Sequence, residues 1–383
     1  MKALAVTQLT TTAHTLPGIV HAVGQPDLHP GTKFPIGAVF ASKKWIHPPL
    51  IGSDIGCGMA WYKLTLPRSQ VDGAKGRRVA EKLRGLERVW RTQDIRKLWL
   101  QDRKGSCSAS EQWDASLDTI GAGNHFAEIQ VVKESADELL GLCKDDVVLL
   151  VHSGSRGYGS SVLKKFTAEA HVSVEEGSAE AGAYLQEHDK ACRWARANRD
   201  LIALRFLACL EPGNEIWQLD ASDCDPLGVL NALSIKQVKS ALQARQVVDI
   251  WHNKVEQVTW PPSPPSVPAV EEFAISLEEA SSQLTLDQMT FQKEDVYLHR
   301  KGAAPTYDPD TPSTVQSASF AWVSRNTNPD SPTNVLSTDV LGPQECTFAS
   351  SRCWTQHVSR KGTVVVVAKV QRAKHSATAS LRE

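Results

Sequence analysis

No run of about 18 apolar residues occurs anywhere in this 383-residue sequence, so nothing in it reads as a membrane-spanning helix. The opening segment, MKALAVTQLTTTAHTLPGIV, carries one Lys and lacks an apolar core of signal-peptide length, which makes a cytoplasmic location the expectation. A charge excess is lacking as well. Lys and Arg number 42 against 43 Asp and Glu, a formal net charge of -1, so a polyanionic partner would have to be held by a local basic patch and not by the overall field. The eight cysteines lie at wide, irregular spacing, which excludes a secreted disulfide framework and makes each a thiol or a ligand in a reducing compartment. Hydrophobic residues at 41% and charged residues at 22% exclude global disorder, and the length admits two ordinary domains or one large layered domain.

What is present divides into blocks. Residues 17–66 alternate short apolar runs with Gly and Pro, the pattern of strands joined by tight turns. From Gly73 to Leu100 the spacing of Val79, Leu83, Leu86 and Trp90 predicts a helix. Around it stand Lys75, Arg77, Arg78, Lys82, Arg84, Arg88 and Arg91, either a solvated face or an RNA-phosphate surface. IGAGNHFAEIQVV (120–132) and DVVLLVHSGSRGYG (146–159) each join a β-branched run to a Gly-rich loop, so their polar groups fall at strand ends. Residues 183–210 and Ser234 to Trp251 predict two further helices, the second leading into His252-Asn253. WPPSPPSVPAV (260–270) can be neither helix interior nor central strand, which marks 258–292 as a surface insertion or linker. After Lys301 the chain turns to Ser, Thr, Pro and Asn with little periodicity, so 306–383 is its least domain-like part.

The chemistry concentrates at a few points. Asp54-Ile-Gly-Cys57-Gly places a carboxylate and a thiol three residues apart in a Gly-flanked turn that can aim both at one centre. His125 follows Gly-Ala-Gly-Asn124 and precedes Phe126-Ala127-Glu128. His152 ends an apolar strand and opens Ser-Gly-Ser-Arg156-Gly, a loop whose N–H groups and guanidinium suit an anion. Each histidine alone is more often a core residue than a ligand, but five such side chains suffice for two metals sharing the thiolate. Cys with His favours zinc on softness, and the carboxylate leaves manganese or iron open. Two adjacent divalent ions suit phosphoryl chemistry, because they can hold both the attacking and the leaving oxygen. A second basic cluster, His299-Arg300-Lys301, is either an exposed strand end or a phosphate contact through Arg300 and Lys301.

PDLHPGTKFPIGAVFA (26–41), GSDIGCGMA (52–60), GAGNHFAEIQVV (121–132), VHSGSRGYG (151–159), WARANR (194–199), HN (252–253) and HRKGA (299–303) resemble, in order, the motifs of the RtcB family of RNA-splicing ligases. The opening motif is similar to a divergent branch, some members of which are linked to RNA repair. The resemblance spans about 17–305. It implies an α+β fold of mixed or antiparallel sheets layered against helices around a central metal cleft, with a ligase domain over 1–305. It also implies a GTP- and manganese-dependent ligase that joins 3′-phosphate or 2′,3′-cyclic phosphate RNA ends to 5′-hydroxyl ends through a guanylylated enzyme. Its RNA partners would be tRNA halves or cleaved RNA ends, with an activating protein as a further partner. By motif, Asp54, Cys57, His125, His152 and His252 would hold two Mn(2+), Cys57 bridging. Asn124, His125, Phe126, Ala127, Glu128, His252 and Asn253 would line the GTP.

The chain departs from the family after HRKGA. The family's nucleotide loop, its His-Gly-Ala-Gly-Arg nucleophile loop and its carboxy-terminal lysine are not found in 306–383. The nearest substitute is His357 in Gln-His-Val-Ser-Arg, which lacks the glycines that would let backbone N–H groups close on a phosphate. So abrupt an end to the match predicts a frame change, a retained intron or an alternative exon. Two further functions stay open: a metal- and nucleotide-binding relative that cannot form the covalent intermediate, and a two-metal phosphodiesterase.

Overall fold

The computed structural model describes residues 3–72, 74–83, 86, 89–121, 124–132, 141–168, 172–221, 232–260, 294–302, 352–358 and 364–370. At 25–27, 74, 219–221, 232, 259, 260, 294 and the last two segments the description is of the backbone alone. In chain order the principal strands are β1 (Ile19–His29), β2 (Ile36–Ser42), β3 (Gly58–Lys63), β4 (Phe126–Val131), β5 (Val147–Ser153), β6 (Gln246–Trp251), β7 (Asn253–Trp260), β8 (Glu294–Lys301), β9 (Arg352–Val358) and β10 (Val364–Val370). The principal helices are α1 (Ala3–Thr15), α2 (Arg156–Thr167), α3 (Ala179–Leu210) and α4 (Ala232–Arg245).

The strands form a four-stranded sheet of order β1-β2-β8-β7 and a six-stranded sheet of order β6-β3-β5-β4-β10-β9, with every neighbouring pair antiparallel. The α+β class expected from the sequence is therefore observed, in its antiparallel form. No described helix is long and apolar enough to cross a membrane.

β4 and β5 are buried at every position, because both faces of their sheet are covered. That is why VVLLVHS is nearly all apolar rather than alternating. Tyr62, Ala127, Ile129, Leu149 and Val151 join the main core with Trp194, Leu201 and Leu204 of α3. The opposite face carries Met59, Trp61, Phe126, Val148, Leu150, Val248 and Ile250 in a second cluster. The two-residue period of a strand puts Glu128 on the face of Phe126, and His152 on the face of Val148 and Leu150.

Two predicted helices are corrected. Residues 73–100 are not one helix. Ala74–Ala80 and Gln93–Trp99 are separate, and Arg91, at φ 47°, and the Thr92 cap stand before the second. Val79, Leu83, Leu86 and Trp90 are all buried nonetheless, so their spacing marked core contact without helical continuity. Lys75, Arg77, Arg78 and Lys82 are exposed. The helix expected over Ser234 to Trp251 ends at Arg245. QVVDIW is strand β6, drawn into pairing with β3 from Val248↔Trp61 to Trp251↔Gly58. Its β-branched residues fill a pleated, half-buried surface, and tertiary pairing overrides the helical period. α3 starts earlier than expected, at Ala179, where Ser178 caps it by accepting from the Ala181 N–H at 3.1 Å.

The linker expected at 258–292 starts later in the chain. Val258, Thr259 and Trp260 end β7, in register with Val296, Asp295 and Glu294 of β8. The rest of the linker lies outside the described residues, as do 303–351, 359–363 and 371–383. β9 and β10, within the segment read as least domain-like, extend the six-stranded sheet beyond β4.

Candidate metal centre

The turn that bears Asp54 and Cys57 is closed by the Cys57 N–H donating to the Asp54 carbonyl at 3.0 Å. Gly56 has φ +72°, and a Cβ there would stand 2.7 Å from the Cys192 Cα of α3, so only glycine lets the turn press against that helix. The turn is stitched to the β6–β7 junction by Gly56 N–H to Asn253 O at 2.8 Å, His252 N–H to Cys57 O at 2.9 Å and Asn253 Nδ2 to Asp54 O at 3.1 Å. His252 thus stands between two strands, not at the end of a helix as its sequence context suggested.

Three strands deliver the histidines to this turn. His125 directly precedes β4, His152 is the penultimate residue of β5, and His252 follows β6. His125 Nε2 lies 3.1 Å from Cys57 Sγ and 2.9 Å from Asp54 Oδ2. His152 Nε2 lies 3.4 Å from Cys57 Sγ and 3.2 Å from His252 Nε2. The rings stack edge to face, with centroids 5.0 Å apart for His125–His152 and 4.9 Å for His152–His252. Two three-donor sets result, Asp54–Cys57–His125 and Cys57–His152–His252, the donor atoms of each within 4.8 Å of one another. They share the Cys57 sulfur.

Burial and the neighbouring charges favour the carboxylate of Asp54 and the neutral imidazole of His252, but the protonated thiol of Cys57. Burial, then the Asp54 carboxylate, pushes the Cys57 thiol well above its ordinary pKa. Burial also pushes Asp54 up, but the hydrogen bond and charge of His125 and the charge of Arg156 outweigh it and hold the carboxyl below its usual range. His252 is lowered to about 3, chiefly by burial and then by the charges of His125 and Arg199, so at neutral pH it offers a lone pair. A carboxylate, a thiol and three buried imidazoles converging this closely form a donor set that fits two divalent ions.

The loop after β5 encloses the carboxylate. A Cβ on Gly154 would stand 2.3 Å from Asp54 Oδ1, and the Arg156 N–H donates to that oxygen at 3.1 Å. Arg156, in a left-handed conformation at φ 59°, sets its Nη1 2.8 Å from His125 Nδ1, so that Nε2 faces Asp54 and Cys57.

Asn124 is exposed in the turn before His125. Phe126 packs edge-on against His152 with centroids 5.3 Å apart, and Glu128 is buried on the same face, accepting from Gln130 Nε2. The Ala127 side chain belongs to the core on the other face. Both ends of the Asn253 amide are engaged, Nδ2 on Asp54 O and Oδ1 accepting from the Gly302 N–H at 2.7 Å. Arg300 is buried and ion-paired with Glu256, and Lys301 is half-buried with its Nζ 5.9 Å from the Phe34 ring centroid, so this cluster is not an exposed strand end. His357 lies on β9, the outermost strand, three strands from His152 on β5. At about 4.8 Å per strand this is roughly 14 Å of lateral separation from His152. His125 precedes β4, two strands from β9, but His357 pairs with Val365, whose neighbour Val366 pairs with Ile129. His357 is thus also displaced along the strands from His125, and the structure does not bring it to the cluster.

Sequence reasoning took Asn198 and Arg199 only as part of the WARANR motif, with no role assigned, and passed over Asp249. Asn198 accepts from the Asp118 N–H at 2.8 Å and donates to Thr119 O and Ser153 Oγ, both at 3.1 Å. Arg199, fully buried, donates to Gly56 O, Ser153 O and Asp249. The available signal was an amide and a guanidinium on the helix face that Trp194, Ala195 and Ile202 mark as core.

The family described as tRNA-splicing ligase RtcB matches residues 8–94 and 86–222 of this chain. RNA-splicing ligase RtcB2 of Escherichia coli is 42% identical over 212 residues, 54% of this chain and 54% of the relative. The chain thus spans about half the length of the curated relative it matches. The family match takes in Asp54, Cys57, His125 and His152 and ends before His252, which the fold nevertheless brings to the same sulfur. With more than half of the sequence covered, this chain belongs to the RtcB family.

Proposed function

We propose that this chain carries the two-metal core of an RNA ligase that joins 3′-phosphate or 2′,3′-cyclic phosphate ends to 5′-hydroxyl ends, using two manganese ions and GTP. The observation that carries this reading is the Cys57 sulfur, shared by two three-donor sets. Asp54, Cys57 and His125 would hold one ion, and Cys57, His152 and His252 the other. Adjacent divalent ions, when bound, supply positive charge to the attacking and leaving oxygens at a phosphate. On this reading Asn124 and Glu128, beside His125, would meet the nucleotide, and Arg156 an anionic phosphate. The exposed Lys75, Arg77, Arg78 and Lys82 offer RNA the local basic patch that a net charge of -1 otherwise denies it. A reducing cytoplasm suits a centre whose shared donor is a thiolate.

A second reading is favoured by one observation: no His-Gly-Ala-Gly-Arg loop occurs in the sequence. On it the chain binds metal and nucleotide without sealing RNA. Incubation with labelled GTP and manganese, then with RNA ends, separates the two. Covalent label and sealed RNA support the ligase; retained metal with neither supports the binding protein. Cleavage of RNA without label would replace both with a two-metal phosphodiesterase.

A further inference from the structure

Arg199 sits on α3 with its side chain wholly enclosed. Nη1 donates to Gly56 O at 2.8 Å and to Ser153 O at 3.0 Å, while Nη2 and Nε reach Asp249 Oδ1 at 2.8 and 3.2 Å. Gly56 precedes Cys57, Ser153 follows His152, and Asp249 lies on the strand that ends before His252. One guanidinium therefore touches all three segments that deliver the Cys57–His152–His252 set. It touches neither the segment of His125 nor the Asp54 side chain, which are held instead by Arg156 through His125 Nδ1 and Asp54 Oδ1.

We propose that Arg199 is the positioning residue of the Cys57–His152–His252 set, fixing the spacing of its three donors and so the affinity of one of the two metal equivalents. The inference rests on the two-metal reading above. A planar fork with five N–H groups can serve two carbonyls and a carboxylate at once. A lysine ammonium keeps the charge opposite Asp249 but, as a compact donor on a flexible stem, cannot hold the same three acceptors in place. Groups that orient metal ligands without touching the ion typically change affinity about 10- to 100-fold.

The test is cobalt titration of the full chain, followed by thiolate–cobalt absorbance, in R199K and in R199K combined with His125→Ala or His252→Ala. Because losing the Arg199 guanidinium would leave the largely enclosed Asp249 with only Arg196, at 3.4 Å, and the Trp251 indole N–H, at 3.1 Å, R199Q is made together with Asp249→Asn as a second variant. We expect R199K to weaken one equivalent by about 10- to 100-fold and the other by less than about threefold. The effect should persist when His125 is absent and vanish when His252 is absent. Equal weakening of both equivalents, or unchanged binding in folded R199K and in the double variant, overturns the role of Arg199 alone. Wild-type protein that binds no cobalt overturns the two-metal reading and this inference with it.

Discussion

Gly154→Ala should separate the metal centre from the fold that supports it. The added methyl would stand 2.3 Å from Asp54 Oδ1, 2.5 Å from its Cγ and 2.6 Å from Oδ2. Restoring an ordinary contact of 3.4 Å moves the carboxylate by roughly 1 Å. Asp54 accepts from the Arg156 N–H at 3.1 Å and faces His125 Nε2 at 2.9 Å, and a shift of that size breaks both contacts. Overpacking typically costs about 1–3 kcal/mol and each charged hydrogen bond about 1.5–3 kcal/mol, so with relaxation we expect a loss of about 2–4 kcal/mol. Manganese affinity should fall at least about 10- to 100-fold, because a ligand is displaced. The assay is urea unfolding with chelator present, paired with calorimetric manganese titration. Gly182→Ala is the control: a Cβ there meets nothing within 4 Å, and in the interior of α3 it should stabilise by about 0.5–1 kcal/mol with metal binding unchanged. Wild-type stability and wild-type affinity in Gly154→Ala would refute the packing of this loop on Asp54.

Three core histidines away from the centre should make the protein acid-labile. His188 is lowered to about 3, chiefly by burial and then by Lys254; His299 to about 3, by burial and then by His47; and His47 to about 4, by burial. Below 6.5 the unfolded chain takes up protons that the folded chain refuses, so stability present above 6.5 is lost as pH falls, by up to about 4 kcal/mol per pH unit for three groups. A urea midpoint that stays flat between pH 7 and pH 5 would contradict this. Asn198→Ala, which leaves the buried Asp118 N–H without its side-chain acceptor, should cost about 1–3 kcal/mol by thermal unfolding, against no loss if a water substitutes fully. Trp99→Ala removes a fully buried ring and its hydrogen bond to Ala197 O, so unfolding should register a loss of about 3–5 kcal/mol; a change under 1 kcal/mol would place Trp99 outside the core.

Asp54, Cys57, His125 and His152 were legible because each stands in a short Gly-flanked block, where a bend in the backbone is written into the residues; His252, in Ile-Trp-His-Asn-Lys, has no glycine beside it. The local pattern could not convey the partner of each block. QVVDIW follows a good helix without any breaker, and only its pairing with β3 makes it a strand. Val79, Leu83, Leu86 and Trp90 announced burial correctly, but a spacing of three and four fits a looping chain pressed on a core as well as a helix. Nor could the local pattern convey that the Asn253 amide joins the Asp54 turn to Gly302, a contact between positions far apart in the chain. Arg199, inside the WARANR motif, showed no role for the same reason: its three acceptors come from three separate blocks.

The shared sulfur is the most direct point of attack. Manganese equivalents bound should be two for the wild-type chain, one for His252→Ala, which leaves the Asp54–Cys57–His125 set intact, and none for Cys57→Ala, which takes a donor from both sets. A folded Cys57→Ala protein that still binds two equivalents would contradict the account.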